Sequence, residues 1–321
     1  MTSPVQPPAI LVMGPTASGK TAVAIQLATT LPCEIISVDS AQIYREMNIG
    51  TAKPDAETLA RAPHHLINII EPHESYSAAR FRDDALALMR EITERGNIPL
   101  LVGGTMLYFK SLVEGLNDLP EADPAIRLII ETMAEEEGWP EVHDKLRKVD
   151  PETAARLDPN DAQRIQRALE IYYITGKSMT DLLKKPKYVY FPYTPIRIAL
   201  VPGDRAVLHE RIAARFDAML SAGLVDEVRR LQDEYALDPD TPAMRCVGYR
   251  QALDHITGKI SLEELREQGI AATRQLAKRQ LTWLRGMDDV TEFDCLAEDV
   301  GDLVLEYVRQ ELEAIVIAGE S

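Results

Sequence analysis

Eight consecutive residues near the N-terminus have the types and spacing needed to bind a phosphate chain. The run reads G-x-x-x-x-G-K-T and consists of Gly14, Pro15, Thr16, Ala17, Ser18, Gly19, Lys20 and Thr21. Glycine lets the backbone curl so that several N–H groups point into one hollow, and a following helix adds partial positive charge. Lys20 adds a full charge, and the Thr21 hydroxyl is a ligand that Mg²⁺ accepts. The sequence therefore predicts a site for a diphosphate or triphosphate with magnesium.

The elements around this run alternate in the manner of an α/β protein. Short apolar runs predict buried parallel strands, and runs with helical periodicity predict helices between them. The predicted strands are residues 9–13, 34–38, 99–102 and 196–201, and the predicted helices are residues 20–30 and 77–95. We therefore expect an α/β, P-loop NTPase-like parallel sheet that is flanked by helices and carries a helical insertion domain.

Polar residues follow the second and third predicted strands. Asp39 and Ser40 end one strand, and Gly103-Gly104-Thr105 ends the other. Ligands of such sheets bind beyond the carboxyl ends of the strands, so these residues should lie beside the phosphate loop. Asp39 is then either a general base, or a helix N-cap or a group that hydrogen-bonds to the ligands of magnesium. Thr105 is either a turn residue or a hydroxyl offered to a substrate.

Changes in composition divide the chain into four parts. We place a P-loop α/β core in residues 1–116 and a helical insertion domain in residues 117–195. Residues 196–286 should complete the core and add C-terminal helices, and residues 287–321 should form an acidic C-terminal tail.

The distribution of charge along the chain says more about a binding partner than the net charge does. The chain has 35 basic and 51 acidic residues and a net charge of −16, which alone argues against a nucleic-acid partner. Residues 288–321 hold eleven acidic residues and one basic residue, whereas residues 243–286 hold eight basic and four acidic ones. A basic segment beside an acidic one is compatible with an RNA partner.

The cysteines and the hydropathy of the chain indicate in which cellular compartment the protein is expected. Cys33, Cys246 and Cys295 are far apart and lack metal-ligand spacing, so no disulfide framework is expected. The N-terminus shows no signal peptide, and no apolar run approaches membrane-spanning length. We therefore expect a cytoplasmic protein without membrane contact, and we take it to be a monomer.

Three segments carry arginine together with amides or aromatic residues. In residues 161–167, Gln163, Arg164 and Arg167 fall on one helical face, which is either solvated or a binding surface. Residues 245–250 and 278–285 combine arginines with an aromatic residue, a mixture suited to phosphate and base contacts. Trp283 by itself favours a core position, and the pair His64-His65 favours a packed loop over a metal site.

These motifs, in this order, resemble those of the tRNA dimethylallyltransferases, the isopentenyltransferases of tRNA. The resemblance covers about residues 9–286 and rests on segments 14–21, 39–44, 63–66, 103–108, 160–170, 243–250 and 278–285. A P-loop alone would indicate only a superfamily, whereas this ordered series is typical of one family. The chain departs from the family's common residues at Asp158 and Cys246, and neither departure removes a group to which we assign a chemical role.

The resemblance implies an activity and its catalytic residues. The enzyme would transfer a dimethylallyl group from dimethylallyl diphosphate to N6 of the adenine directly 3′ of the tRNA anticodon, releasing diphosphate. Asp39, Lys20 and Thr105 would be catalytic, with Asp39 taking the N6 proton. The phosphate loop and Arg215 would bind the diphosphate, and Thr21 would bind Mg²⁺.

The resemblance also implies that the helical insertion domain, residues 117–195, binds tRNA, and it implies tRNA contacts along several segments. The residues are Asp39, Ser40, Ala41, Gln42, Thr105, Arg127, Gln163, Arg164, Ile165, Gln166, Arg167, Arg245, Cys246, Val247, Gly248, Tyr249, Arg250, Lys278, Arg279, Gln280, Leu281, Thr282, Trp283, Leu284 and Arg285. Three other functions stay open on the residues alone: a small-molecule kinase, a prenyltransferase acting on free AMP, and a non-catalytic, nucleotide-dependent RNA binder.

Overall fold

The computed structural model describes residues 6–117, 119–184 and 190–320, and it divides the chain into two compact units. The first unit consists of Met1–Leu112 and Pro192–Ser321, and the second is Val113–Phe191. The predicted bounds of the insertion, residues 117–195, therefore lie four residues C-terminal to the observed bounds of the second unit. The composition changes at Asn117, whereas the division falls inside the last turn of the preceding helix.

A parallel sheet forms the centre of the first unit. Its strands, within the described residues, are β1 (Pro8–Met13), β2 (Cys33–Val38), β3 (His64–His65), β4 (Ile98–Gly103), β5 (Thr194–Val201) and β6 (Thr291–Asp294). They lie in the order β3-β2-β4-β1-β5-β6, and every neighbouring pair is parallel. Because β1 lies between β4 and β5, the phosphate loop leaves the middle of the sheet.

The described helices are numbered in chain order. They are α1 (Lys20–Thr30), α2 (Ala56–Arg61), α3 (Ala78–Glu94), α4 (Met106–Glu114), α5 (Pro124–Glu137), α6 (Trp139–Val149), α7 (Pro151–Arg156), α8 (Ala162–Thr175), α9 (Met179–Leu183), α10 (Arg205–Ser221), α11 (Leu224–Tyr235), α12 (Tyr249–Ile256), α13 (Leu262–Leu284) and α14 (Val300–Glu320). Helices α5 to α9 belong to the second unit. None of the described helices is both long and apolar enough to span a lipid bilayer.

The predicted fold class is confirmed, and the predicted elements lie within two residues of the observed ones. The cap at the start of α3 also forms, since the Ser77 hydroxyl accepts from the backbone N–H of Arg80 at 3.1 Å. The pair His64-His65 is not a loop but the short edge strand β3. His65 Nε2 contacts Glu34 Oε2 at 3.0 Å, and this neighbour on β2 explains why the pair joins the sheet.

Strand β6 and helix α14 complete the core of the first unit, so the prediction of an acidic C-terminal tail in residues 287–321 was wrong. Strand β6 pairs with β5, and α14 buries Val304 and Val308 against the layer formed by α1 and the sheet. Gln26 Nε2 of α1 donates to Asp302 Oδ1 of α14 at 2.7 Å. Apolar residues four positions apart face the sheet while acidic ones face solvent, and net charge alone obscures that pattern.

The second unit has its own small hydrophobic core. Ile130 of α5, Leu146 of α6, and Ile165 and Leu169 of α8 are fully buried in it. Ile165 and Leu169 are four residues apart, so they lie on one face of α8. This leaves the neighbouring polar residues of α8 on its other faces.

Candidate active site and RNA-binding residues

The phosphate loop runs from the carboxyl end of β1 to the start of α1. Gly19 precedes α1 with φ 81°, in the left-handed region that favours glycine. The N–H groups of Lys20 and Thr21 stand in the first turn of the helix and have no partner within it, so they can bind phosphate oxygens. Lys20 Nζ lies over the loop and donates to the Pro15 carbonyl oxygen at 2.6 Å. The loop thus forms a cradle for an anion.

Two cations and one carboxylate surround this cradle. Burial, together with the neighbouring Arg215, lowers the pKa of Lys20 to about 8, while Asp39 opposes that shift. Burial also lowers the pKa of the Arg215 guanidinium, whose Nε is buried without a hydrogen-bond partner among the described residues. A buried, unpartnered donor beside a cradle of N–H groups suits a multiply charged anion.

Asp39 leaves β2 in a tight turn at the edge of the same cavity. Its Oδ1 accepts from the backbone N–H of Ala41 at 2.8 Å and from that of Gln42 at 3.3 Å. Asp39 therefore caps the turn at residues 41–43, which is not helical, and not the helix start considered from the sequence; Oδ2 takes no part in the cap. Asp39 can accordingly hold the turn with one oxygen and present the other to a substrate.

Thr105 connects the turn after β4 to the turn after β2. Its Oγ1 accepts from the Ser40 backbone N–H at 3.0 Å and lies 3.3 Å from Ser40 Oγ. Its backbone N–H donates to the carbonyl oxygen of Val38 at 3.2 Å. Gly103 permits this close approach, since a Cβ there would overlap the Val38 backbone. The Thr105 hydroxyl therefore fixes the turn that carries Asp39.

The Gln42 side chain lies in the cavity but already has protein partners. Its Oε1 accepts from Ser37 Oγ at 3.2 Å, and its Nε2 donates to the carbonyl oxygen of Thr51 at 3.4 Å. Contact with tRNA, the role that the resemblance implies for Gln42, would require its amide to exchange these partners.

Helix α10 presents a face of mixed character to the cavity. Ile212, Arg215, Phe216 and Met219 are spaced i, i+3, i+4 and i+7, and all four line the cavity. A cation set among apolar side chains matches a ligand with an anionic head and an apolar tail. Of these residues, sequence reasoning found only Arg215, although the helical spacing of the other three was the signal that could have found them.

The cavity enclosed by these elements has a volume of about 880 Å³. The phosphate loop, the turns at Asp39 and Thr105, and the face of α10 contribute to its lining. Arg245, Cys246, Arg279 and Trp283 line it as well. Burial raises the pKa of the Cys246 thiol to about 12, so the thiol stays protonated and acts as a small apolar group.

A buried carboxylate holds the loop at Asn48–Gly50, which forms part of the cavity wall. Glu227 of α11 accepts from the backbone N–H of Ile49 at 2.9 Å and from that of Asn48 at 3.1 Å. The Tyr249 hydroxyl donates to the same carboxylate at 2.5 Å, and burial raises the pKa of that hydroxyl. Tyr249 was expected to contact RNA, but its side chain is fully buried against Gly50.

Replacing Glu227 with glutamine should lower the free energy of unfolding by about 3 kcal/mol. The amide retains one acceptor oxygen but directs an NH₂ group toward backbone N–H donors that then lack a partner. Urea titration would measure the change. Glu234→Gln, on the exposed face of the same helix, is the matched control. Equal stability of the two variants would mean that Glu227 does not hold the loop.

In the second unit, two of the predicted RNA contacts serve a buried carboxylate. Arg127 Nε donates to Glu170 Oε1 at 2.8 Å, and Arg167 Nη1 donates to Glu170 Oε2 at 2.6 Å. Burial raises the pKa of Glu170, but these hydrogen bonds outweigh it and hold the pKa below its ordinary value. Arg127 and Arg167 therefore contribute to folding of this unit whatever else they bind.

The other predicted contacts on α8 differ in exposure. Gln163 is exposed, and the Arg164 side chain is 75% exposed with an ion pair to Asp161 at 2.9 Å. Gln166 Nε2 donates to Glu131 Oε1 at 2.8 Å. Ile165 is fully buried, so its side chain is not available to an RNA partner. Arg164 is thus the arginine of this helix most available to a partner.

The predicted RNA contacts in residues 245–250 and 278–285 also include both buried and exposed side chains. Leu281, Leu284 and Gln280 are buried with Tyr249, because they lie on the core face of their helices. The exposed side chains are those of Arg245, Arg250, Lys278, Arg279, Thr282, Trp283 and Arg285. Cys246 and Val247 are half-buried, and Gly248 is buried.

Trp283 is exposed rather than part of the core. Its side chain is 41% exposed, and Lys110 Nζ lies 5.5 Å from the ring centroid. A ring with a cation on it and an open edge at the cavity is suited to stacking with a base. Trp283 is exposed because it lies on the face of α13 that points away from the buried Leu281 and Leu284.

Oxygen ligands for Mg²⁺ are present at the phosphate loop. The Thr21 hydroxyl and the Asp39 carboxylate line the same cavity. The described residues contain no cluster of three or more His, Cys, Asp or Glu suited to a metal. Mg²⁺ is commonly held by one or two protein oxygens plus the phosphates of its ligand, so the residues present fit that ion.

Comparison with known families agrees with the sequence motifs. The model of the IPP transferase family matches residues 42–287, and that of the isopentenyl transferases matches residues 8–70. The tRNA dimethylallyltransferase of Nitrosospira multiformis is 59% identical over 94% of this chain and 94% of its own length. That of Thiobacillus denitrificans is 61% identical over 92% of this chain and 94% of its own length.

Solved structures show the same fold. The tRNA isopentenylpyrophosphate transferase of Bacillus halodurans is 38% identical with a TM-score of 0.72, covering 98% of this chain and all of that one. A eukaryotic dimethylallyltransferase acting on tRNA is 29% identical with a TM-score of 0.74, covering 90% of this chain and 74% of that one.

Proposed function

Since the chain belongs to the tRNA dimethylallyltransferase family, we propose that it transfers a dimethylallyl group from dimethylallyl diphosphate to tRNA. The acceptor in this proposal is the N6 amine of the adenine directly 3′ of the anticodon, and the second product is diphosphate. The protein acts on its own in the cytoplasm, where tRNA is found, and every residue invoked below belongs to one chain.

One observation carries the choice of donor. The cavity joins a phosphate cradle to the face of α10 on which Arg215 lies among Ile212, Phe216 and Met219. A phosphate cradle alone accepts ATP as readily as a prenyl diphosphate. The apolar groups beside it favour a donor with a short hydrocarbon tail, because burying each CH₂ group contributes about 0.8 kcal/mol.

The reaction replaces a carbon–oxygen bond with a carbon–nitrogen bond and transfers one proton. The N6 nitrogen attacks the allylic carbon, the carbon–oxygen bond to diphosphate breaks, and the N6 proton passes to Asp39. Adenine N6 is a weak nucleophile because its lone pair is delocalised into the ring, so removal of this proton assists the attack. Lys20, Arg215 and the N–H groups of the phosphate loop stabilise the charge that develops on the leaving diphosphate.

Magnesium is part of the proposal. Thr21 would hold it together with the diphosphate oxygens. When bound, the ion supplies charge neutralisation to the leaving group.

The acceptor adenine must leave its stack to reach the cavity. Trp283 and the exposed arginines at the cavity edge, Arg245 and Arg279, would contact the RNA there. A macromolecular acceptor is favoured over free AMP because exposed cations also occur on α8 of the second unit, at Arg164.

Alanine at Arg164 or Arg279 should weaken tRNA binding with little effect on the single-turnover rate at saturating tRNA. Each lost phosphate contact should reduce the slope of log K against log salt by about 0.7–0.9. Filter binding at several salt concentrations would measure this. Arg229→Ala is a matched control, since Arg229 forms an exposed i,i+3 pair with Asp226 as Arg164 does with Asp161. Slopes equal to the control would mean that these arginines are only solvated.

The test of the proposed function offers the enzyme two donors. Unmodified tRNA is incubated with magnesium and either labelled dimethylallyl diphosphate or γ-labelled ATP, and nucleosides are analysed by mass spectrometry. We expect prenylated adenosine from the first donor and no cleavage of the second. Phosphoryl transfer from ATP without prenylated nucleoside would establish a kinase, and faster prenylation of AMP than of tRNA would establish the free-nucleotide enzyme.

A further inference from the structure

The buried amide of Gln280 connects two loops that are distant in sequence. Gln280 lies in the last turns of α13 and is 8% exposed. Its Oε1 accepts from the Thr16 backbone N–H of the phosphate loop at 2.8 Å. Its Nε2 donates to the Gly104 carbonyl oxygen, in the turn after β4, at 2.9 Å. One side chain therefore binds both the donor cradle and the turn beside it.

The contacts continue from that turn to the proposed base. Gly104 is followed by Thr105, whose hydroxyl accepts from the Ser40 N–H at 3.0 Å. Ser40 follows Asp39 directly, so a short chain of contacts links the phosphate loop to Asp39 through Gln280. In each link a backbone group is held by a side chain, which leaves little freedom to the two turns.

We propose that Gln280 is a positioning residue for the transfer reaction, which clamps the phosphate loop to the Gly104-Thr105 turn and so sets the distance between the bound diphosphate and Asp39. This proposal rests on the proposed function. Gln280 is a better candidate for a clamp than for an RNA contact because both ends of its amide already bind protein and its side chain is buried.

The requirement for such a clamp follows from the geometry of displacement. The attacking nitrogen, the allylic carbon and the leaving oxygen must be aligned, and a misplacement of about 1 Å costs about 10²-fold in rate. The phosphate loop leaves β1 and the Thr105 turn leaves β4, so backbone pairing fixes the strands but not the loops beyond them. A side chain that reaches both loops removes this freedom.

Gln280→Met is the first test, because methionine has a similar length and no amide. We expect the single-turnover rate at saturating tRNA and donor to fall about 10- to 100-fold, with the tRNA dissociation constant changed less than about twofold. The control is Gln268→Met on the exposed face of the same helix. A wild-type rate at saturating tRNA, with weaker tRNA binding, would make Gln280 an RNA contact and overturn the proposal.

Gly104→Ala tests the clamp without altering α13. A Cβ at residue 104 would overlap Gln280 Nε2, so the amide must move. We expect Gly104→Ala to lower the rate about 10- to 100-fold, as we expect of Gln280→Met, with little further loss when the two substitutions are combined, because both break the same contact. Additive losses would overturn the proposal. This arm remains informative if Gln280→Met fails to fold, which thermal unfolding would reveal.

Binding of inorganic diphosphate separates failure of the clamp from failure of the proposed function. We expect Gln280→Met to weaken this binding about fivefold, since the Thr16 end of the cradle loses its hydrogen bond. This measurement needs no reaction. Absence of prenyl transfer by the wild-type enzyme would refute the function alone, whereas unchanged diphosphate affinity with an unchanged rate would refute the clamp.

Discussion

Replacing Asp39 with alanine should lower the single-turnover rate of transfer by about 10²–10⁴-fold, the usual effect of losing a general base. Asp39 lies at the cavity with Oδ1 engaged by the N–H groups of Ala41 and Gln42, which leaves Oδ2 for the N6 proton. tRNA binding should persist, because the exposed arginines are unchanged. Rapid-quench measurement with saturating tRNA and dimethylallyl diphosphate would determine the rate.

Asp39→Asn separates the two roles of this residue. Asparagine keeps an oxygen that accepts from Ala41 and so preserves the turn, but it cannot take a proton. If Asp39 is the base, both variants lose rate to a similar extent. An asparagine variant close to wild type, beside a slow alanine variant, would assign Asp39 to holding the turn and remove it from proton transfer.

Lys20→Ala should reduce transfer by about 10²–10³-fold, because the departing diphosphate loses a cation where negative charge develops. The donor should also bind more weakly, since the Lys20 ammonium lies over the phosphate loop. Steady-state kinetics at varied donor concentration would measure both effects. Lys259→Ala is the control, since Lys259 is a surface lysine that pairs with Asp254. A variant with only weaker donor binding would place Lys20 in substrate binding alone.

The lowered pKa of Lys20 has a consequence for the pH dependence. The group is charged below its pKa of about 8 and neutral above it, so the cradle loses a positive charge as pH rises through that value. The kcat/KM for the donor, which reports the free enzyme, should therefore decline above about pH 8.

Lys20→Arg identifies the group that causes this decline. Arginine stays charged throughout the range, so the decline should disappear even if the rate is lower. Burial lowers the pKa of Lys53 to about 8 as well, and Lys53 holds the loop near Asn48. Persistence of the decline in Lys20→Arg would assign it to Lys53 or another group and contradict the prediction for Lys20.

The fold class and the phosphate loop were predictable because their determinants are local. A buried strand, a glycine with positive φ and a helix that begins at Lys20 occupy one continuous stretch. The strand that precedes Asp39 is equally local, and parallel strands bring their carboxyl ends to one edge. The alternation of strands and helices along the chain was therefore enough to predict that Asp39 and Thr105 lie at the phosphate loop.

The exposure of residues in the arginine-rich segments was not predictable from composition. Arg279 and Gln280 are adjacent in sequence, yet one is exposed at the cavity and the other is buried. Which face of α13 meets the core depends on the elements packed against it. The same holds for Tyr249, which is buried with Glu227, a residue of another helix.

The sequence by itself determined the family, the sheet and the anion cradle, since each depends on motifs read along one stretch of chain. The tertiary structure decided the contacts of Gln280 and Glu227, and it packed β6 and α14 onto the core of the first unit where a tail was expected. Gln280 and Thr16 are separated by 264 positions. A hydrogen bond over that separation leaves no periodicity or spacing in the sequence, because it exists only once the chain has folded.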